Sequence, residues 1–231
     1  MIDFHSHILP AMDDGSSSVE ESLAMLQMSY QQGVREMIAT SHFYAAQESP
    51  SVFLRRRRQA WEKLEPQLSL DMPEVRLGAE VYYFNGIYRT DELPELCIEG
   101  TNILLLEMPF ASWTERMVSE VISISTDLRI RVLLAHIDRY LSYQTEETWD
   151  TLEENGILFQ LNASSVLDGF LMRRKAVKLI KNGRIDVLGS DCHNMTSRQP
   201  NLEQAMEIIR KKAGEAAVEE LTERGKELLG Y

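Results

Sequence analysis

Short apolar runs recur along the chain, separated by longer stretches in which apolar residues return every three to four positions. The first pattern predicts buried strands, the second amphipathic helices. Strands are expected at 1–7, 36–42, 75–81, 102–108, 131–136, 157–162 and 186–193. Helices are expected at about 19–32, 50–68, 113–127, 146–155, 170–182, 202–212 and 216–229. In the first strand Ile2, Phe4, Ser6 and Ile8 alternate with Asp3, His5 and His7, a period of two that puts His5 and His7 on one face. Ile103-Leu104-Leu105-Leu106 is continuously apolar, as suits a parallel strand buried on both sides. Ser16-Ser17-Ser18 with Glu20 and Glu21 supplies a cap and an acidic first turn to the first helix. Strand and helix alternate throughout, the pattern of an α/β architecture. Seven strands predict a closed or nearly closed, distorted (β/α)7 TIM-like barrel. No linker, repeat or low-complexity tract divides the 231 residues, so 1–231 is read as one domain.

Composition narrows the function. A hydrophobic content of 44% supports a core, and a formal net charge of −12 disfavours nucleic acid as a partner. Only two cysteines occur, Cys97 and Cys192, which argues against a disulfide framework and fits a reducing cytoplasm. No apolar run is long enough to span a bilayer, and the N-terminus enters a strand without the pattern of a secretory signal. The expected location is cytoplasmic.

The polar residues that end the strands carry the chemistry. His7, His42, Glu80, Glu107, His136 and the pair Asp191 and His193 each end an expected strand, and the sixth strand ends in Asn162. In α/β barrels the C-terminal strand ends form the active-site face. With His5 and Asp14, the candidates are His5, His7, Asp14, His42, Glu80, Glu107, His136, Asp191 and His193. All five histidines of the chain fall in this set. Nine ligands exceed the three or four protein ligands typical of one zinc ion. They could serve two or three ions with a carboxylate bridging two of them. Imidazole with carboxylate fits Mn, Fe or Zn better than Cu(I).

These residues resemble a known family. Asp3-Phe4-His5-Ser6-His7, with His42, Glu80, His136 and Asp191-Cys192-His193, is similar to the PHP (polymerase and histidinol phosphatase) superfamily of distorted (β/α)7 barrels with a trinuclear metal site. His5-Ser6-His7-Ile8-Leu9-Pro10, Asp13-Asp14-Gly15-Ser16, Ile38-Ala39-Thr40-Ser41-His42 and Ile103-Leu104-Leu105-Leu106-Glu107-Met108-Pro109-Phe110 resemble, more narrowly, the CpsB/YwqE/CapC-type manganese-dependent protein-tyrosine phosphatases of Gram-positive bacteria. The resemblance implies one ion on His5, His7, Glu80 and Asp191. It implies a second on Glu80, Glu107 and His136, and a third on Asp14, His42 and His193, with Asp13 the alternative to Asp14. It implies Arg139 and Arg198 as the arginines that hold substrate phosphate. The chain departs from the family at His136-Ile137-Asp138-Arg139, where His-Pro-Glu-Arg is usual, and at Thr40-Ser41-His42-Phe43, where Thr-Pro-His-His is frequent. The ligands and arginines survive both changes.

The expected activity is therefore metal-dependent hydrolysis of phosphotyrosine on a protein. The partner the resemblance implies is a bacterial tyrosine kinase controlling capsule or exopolysaccharide synthesis, and the cofactor is Mn2+, with up to three ions. The competing readings are a small-molecule phosphomonoesterase of the histidinol-phosphatase kind and a non-catalytic, metal-stabilised regulatory barrel. Asp138 and a water are candidates for a general acid. Tyr82, Tyr83, Phe84 and Tyr88 follow Glu80 and could flank a phosphotyrosine ring or pack the loop. Arg55-Arg56-Arg57-Arg58 is read as a solvated face or a dock for an acidic partner. Cys192 and Arg198 have the Cys-x5-Arg spacing of cysteine-dependent tyrosine phosphatases. The intervening residues contain no glycine to let the backbone wrap a phosphate, so the spacing is read as accidental.

Overall fold

A computed structural model describes residues 1–231. Its elements in chain order are β1 (Ile2–Ser6), α1 (Val19–Gln31), β2 (Glu36–Ala39), β3 (His42–Phe43), α2 (Pro50–Leu64), β4 (Glu74–Leu77), β5 (Glu80–Tyr82), β6 (Ile103–Glu107), α3 (Glu115–Leu128), β7 (Arg131–Leu134), α4 (Glu146–Glu154), β8 (Leu158–Asn162), α5 (Ala163–Leu167), α6 (Phe170–Lys181), β9 (Val187–Gly189), α7 (Leu202–Ala213) and α8 (Glu215–Leu229). Four helices start where a hydroxyl residue precedes the periodic stretch. Ser18, Ser49, Thr114 and Thr145 accept from the amides of Glu21, Val52, Met117 and Thr148, each satisfying a donor that the helix leaves free. No helix is long and apolar enough to cross a membrane.

All strand pairs are parallel. One sheet has the order β1-β2-β4, the other β3-β5-β6-β7-β8-β9. The sheet curls so that its first and last strands meet. The Asp191 amide donates to the His5 carbonyl at 2.8 Å and the His7 amide to the Cys192 carbonyl at 2.9 Å. The buried carboxylate of Asp3 accepts from the Ser190 amide at 2.8 Å, and a parallel bridge joins Ser6 to Cys192.

Two of the expected strands are interrupted. The second divides into β2 and β3 at Thr40-Ser41, the third into β4 and β5 at Gly78-Ala79. At the first break, the Thr40 hydroxyl accepts from the Ser6 amide and donates to the Ser6 carbonyl, while the Glu80 amide turns to the Thr40 and Ser41 carbonyls. A side chain has entered the ladder, and such bulges re-aim the residues beyond them. The seventh expected strand, at 186–193, is shortened to β9 because Asp191 adopts φ +54°. The short α5 follows β8 directly and was not anticipated by the sequence pattern.

The inward face of the sheet is layered. Ile103, Leu105 and Glu107 share one face of β6, and Leu158, Gln160 and Asn162 one face of β8. Ile103, Leu105 and Leu158 join Phe4, Ile38, Leu133 and Val187 in an apolar cluster plugged by Leu228 and Leu229 of α8. The polar members of the same rows lie beyond it. A larger core fills the space between strands and helices. The basic run on α2 is spread around the helix: Arg56 bonds Glu48 and the Met12 carbonyl, Arg57 the Gly78 carbonyl, and Arg58 pairs with Glu62.

Candidate metal centre

Above the apolar plug, four imidazoles converge on one carboxylate. Glu80, at the start of β5, places Oε2 3.3 Å from His5 Nε2, 3.3 Å from His7 Nε2 and 2.9 Å from His42 Nδ1, and Oε1 2.8 Å from His136 Nε2. The two nitrogens that strand alternation places together, His5 Nε2 and His7 Nε2, are 3.1 Å apart. Asp191 Oδ1 lies 3.6 Å from each of them. Glu107 Oε1 lies 3.6 Å from His136 Nε2, and Glu107 Oε2 3.9 Å from His42 Nδ1. On the other side, Asp14 Oδ1 is 3.4 Å from His42 Nε2 and 3.5 Å from His193 Nε2. All nine residues singled out from the sequence are thus brought together. Three groups have ligand atoms mutually within 4.8 Å: His5, His7 and Glu80; His42, Glu80 and Glu107; and His7, Asp14, His42 and His193.

Asp13 and Asp14 separate cleanly. Asp13 Oδ2 accepts from His7 Nδ1 and from the His42 amide, both at 2.9 Å, and its Oδ1 from the Gly15 amide. Asp13 therefore sits behind His7 and orients it, while the more exposed Asp14 faces His42 and His193. Gly15 permits the tight return of this loop, since a Cβ there would lie 2.3 Å from the His7 carbonyl oxygen.

Two residues that the sequence reading did not assign complete the support. Gln160 Oε1 accepts from the His136 amide at 2.7 Å and lies 3.2 Å from His5 Nδ1. Its amide nitrogen donates to Asn162, which donates in turn to Asp191 Oδ2. A relay from His5 through Gln160 and Asn162 to Asp191 holds ligands from opposite sides of the curl. The available signal was the period-two placement of two amides in an otherwise apolar strand. Close packing also matters: a Cβ on Gly189 would lie 2.5 Å from the His5 Cβ and 2.8 Å from Gln160 Nε2.

The electrostatics are those of a cation site. Burial opposes charge on His7, but hydrogen bonds to Asp13 and Glu80 outweigh it and push the imidazole up to about 10. Burial likewise opposes ionisation of Glu80, yet His5, His136 and His42 hold it well below the usual carboxylate range. Burial and the charge of Glu80 push Glu107 up to about 7. Burial drops His136 to about 4, and burial with the charge of His7 does the same for His193. Carboxylates packed against one another in the interior carry a large desolvation cost unless cations offset them. Four buried atoms at the centre, His42 Nδ1, Glu80 Oε2, His136 Nδ1 and His193 Nε2, have no hydrogen-bond partner. His42 Nδ1 and Glu80 Oε2 approach to 2.9 Å without the alignment of a hydrogen bond. Imidazole and carboxylate donors facing one another in this way fit divalent metal ions. His136 and Asp191 stand at φ +34° and +54°, the left-handed region that non-glycine residues enter at a cost and that clusters at functional sites.

Arg139 and Arg198 both reach Asp191. Arg139 Nη2 donates to its Oδ2, and Arg198 Nη2 lies 2.7 Å from its Oδ1. Asp138 is engaged with the Asn162 amide, and burial pushes its carboxyl up to about 6. The aromatics around the opening are Tyr44, 5.2 Å from the His42 ring and 5.6 Å from the Tyr82 ring, and Phe110, which lies under the Arg139 guanidinium at 5.8 Å. Of the four aromatics expected there, only Tyr82 meets this aromatic border. Tyr83 donates to Glu120, while Phe84 and Tyr88 pack on the core. Cys192 is fully buried in the core, and burial raises its thiol well above the ordinary range. A thiolate nucleophile is not what this geometry supports.

Comparison with known proteins agrees with the arrangement. A family model described as "Capsular polysaccharide synthesis, CpsB/CapC" matches residues 1–229. The tyrosine-protein phosphatase CpsB of Streptococcus pneumoniae is 31% identical, covering 96% of this chain and 94% of that protein. The tyrosine-protein phosphatase YwqE of Bacillus subtilis is 28% identical, covering 99% of this chain and 91% of that protein. A solved structure from work on YwqE and CpsB, described as unique metal-dependent tyrosine phosphatases, superimposes with a TM-score of 0.84 at 25% identity, covering 99% of this chain and 94% of that one.

Proposed function

Since the chain belongs to the CpsB/CapC capsular polysaccharide synthesis family, we propose that it is a metal-dependent protein-tyrosine phosphatase. The observation that carries this reading is the convergence of His5, His7, His42 and His136 on the shared carboxylate of Glu80. A carboxylate among that many imidazoles is the natural bridge between ions. His5, His7, Glu80 and Asp191 would hold one ion, and Glu80, Glu107 and His136 a second. Asp14, His42 and His193 would hold a third. Manganese is the metal proposed, since a set of imidazoles and carboxylates suits it better than Mg. We read β2 with β3, and β4 with β5, as single rungs, which makes the nine segments seven rungs of a distorted (β/α)7 barrel spanning 1–231.

Metal ions held there would supply Lewis-acid charge and lower the pKa of the attacking water. The chain's own residues do the rest. Asp13 and Gln160 orient His7 and His5, so their free nitrogens stay aimed at the centre. Arg139 and Arg198, which approach one carboxylate from two sides, take the non-bridging oxygens of the phosphoryl group and neutralise the charge that develops. Tyr44, Tyr82 and Phe110 border the opening and give an aryl ring apolar surface. The leaving phenolate has a pKa near ~10, so it departs without strong acid assistance. The substrate proposed is a phosphotyrosine protein, a bacterial tyrosine kinase of capsule or exopolysaccharide synthesis, and the compartment is the cytoplasm, in keeping with the free thiols Cys97 and Cys192.

The test compares a phosphotyrosine peptide with histidinol phosphate, after chelation and after readdition of Mn or Mg. The expected result is hydrolysis of the peptide, lost on chelation and restored better by Mn. Preference for histidinol phosphate moves the protein to the small-molecule class, and no turnover of either with Mn bound favours a regulatory barrel.

A further inference from the structure

The chain is strongly acidic, yet α6 reads Phe170-Leu171-Met172-Arg173-Arg174-Lys175-Ala176-Val177-Lys178-Leu179-Ile180-Lys181, with no acid at all. The flanking cations Arg139, Arg184 and Arg210 have carboxylate partners. Arg174, Lys175, Lys178 and Lys181 have none. Helical spacing aligns Phe170, Arg174 and Lys178, and beside them Leu171, Lys175 and Lys178, on the face opposite the buried Ala176 and Ile180. Phe170 and Leu171 are 74% and 72% exposed. They are not on a loose end: the Arg173 guanidinium binds the carbonyls of Val166, Leu167 and Asp168 and so fixes the turn before them. The stripe starts at the active rim, because β8 ends there at Asn162 and only α5 intervenes before α6. Along its side runs a cleft of about 310 Å³ lined by Lys175 and Lys178, by Leu141, two residues beyond Arg139, and by Glu146, whose carboxylate is paired with Arg184.

We propose that α6 docks an acidic segment flanking the phosphotyrosine of the protein substrate, with Phe170 and Leu171 receiving an apolar residue of that segment. This deepens the phosphatase reading and rests on it. An unpaired cationic stripe in a molecule of net charge −12 attracts a thin acidic peptide, which within a Debye length of about 8 Å feels only the local helix. An anionic membrane is a broad plane and meets the field of the whole acidic molecule, so the peptide is favoured. A second copy is disfavoured, because two molecules that each carry a net charge of −12 repel one another.

The experiment uses the metal-loaded protein and two phosphotyrosine peptides, one with Glu and Asp flanks and one with Gln and Asn in their place. Wild type is expected to prefer the acidic peptide roughly ten-fold in kcat/KM, through KM and with a preference that fades in salt, as follows from several exposed charge pairs acting together. The double substitution Lys175→Glu with Lys178→Glu removes that preference and leaves the neutral peptide unchanged. Lys175→Gln with Lys178→Gln, which removes the two charges without reversing them, gives an intermediate effect. Equal preference in wild type and the reversed variant overturns the proposal. Loss of binding to phosphatidylserine vesicles on reversal, with peptide preference intact, overturns it in favour of a membrane surface. Failure of wild type to turn over either peptide counts against the phosphatase reading. Docking is then judged by fluorescence anisotropy of the unphosphorylated acidic peptide: binding that the reversal abolishes supports it, and equal binding overturns it.

Discussion

The Gln160 side-chain oxygen settles the tautomer of His5. It accepts from the His136 amide at 2.7 Å, which fixes the orientation of the Gln160 carboxamide, and it lies 3.2 Å from His5 Nδ1. His5 Nδ1 must therefore donate, and a metal ion would meet the lone pair of Nε2. Replacing Gln160 by Leu should weaken metal binding roughly 10–100-fold, the effect typical of residues that orient ligands. Titration of the metal by calorimetry, with circular dichroism to confirm the fold, checks this. Unchanged affinity in a folded Gln160→Leu protein would show that the relay through Asn162 to Asp191 is dispensable.

Gly189→Ala tests the packing behind the same histidine. The added Cβ would stand 2.5 Å from the His5 Cβ, which is attached to backbone and has nowhere to go. Overpacking of this kind costs about 1–3 kcal/mol. A lowered Tm with reduced metal content is expected, and a variant with wild-type metal stoichiometry and Tm contradicts it.

Arg139→Ala and Arg198→Ala should keep metal content and fold while losing about 10²-fold or more in kcat/KM each, since a charge-assisted contact to the phosphoryl oxygens is worth a few kcal/mol. Lysine should rescue poorly, lacking the planar pair of donors. Because both side chains also pair with Asp191, metal content must be measured beside the kinetics on a phosphotyrosine peptide. Wild-type turnover in both alanine variants removes the phosphate clamp from the mechanism.

Metal affinity should rise with pH. Hydrogen bonds to Asp13 and Glu80, outweighing burial, push His7 up to about 10 in the metal-free protein, so His7 holds a proton at neutral pH. A ligand imidazole must be neutral at the binding nitrogen, so each ion seated there displaces that proton. The sign follows: below about 10, lower pH favours the proton and weakens the metal. With one proton displaced, the Kd for Mn falls about ten-fold per pH unit between pH 6 and 8. A Kd independent of pH over that range, measured with a fluorescent chelator in competition, would show that the metal displaces no proton and that His7 is neutral before the metal arrives.

Much of the framework was legible from residue order. The alternation that puts His5 and His7 on one face reports a local constraint, the pleat, and their nitrogens meet at 3.1 Å. Ser16-Ser17-Ser18 announced the start of the first helix because a cap is made within one turn, and Ser18 makes it. The layering of β6, apolar at Ile103 and Leu105 and acidic at Glu107, likewise follows from a period of two.

Tertiary structure alone decided the rest, because those features depend on partners far away in sequence. Adjacent and chemically identical, Asp13 and Asp14 could not be ranked by spacing. What separates them is the His42 amide, which reaches Asp13 from another strand. Gln160 carries no motif, and its importance arises only when β8 brings it against His5 of β1 and the amide of His136. The interruption at Thr40-Ser41 comes from a hydroxyl entering a neighbour's ladder, an event invisible to hydrophobic periodicity. Local order along the chain dictates which way a side chain points. Which side chains face one another across the centre is set by the curl of the sheet, through hydrogen bonds such as that from the Ser190 amide to Asp3.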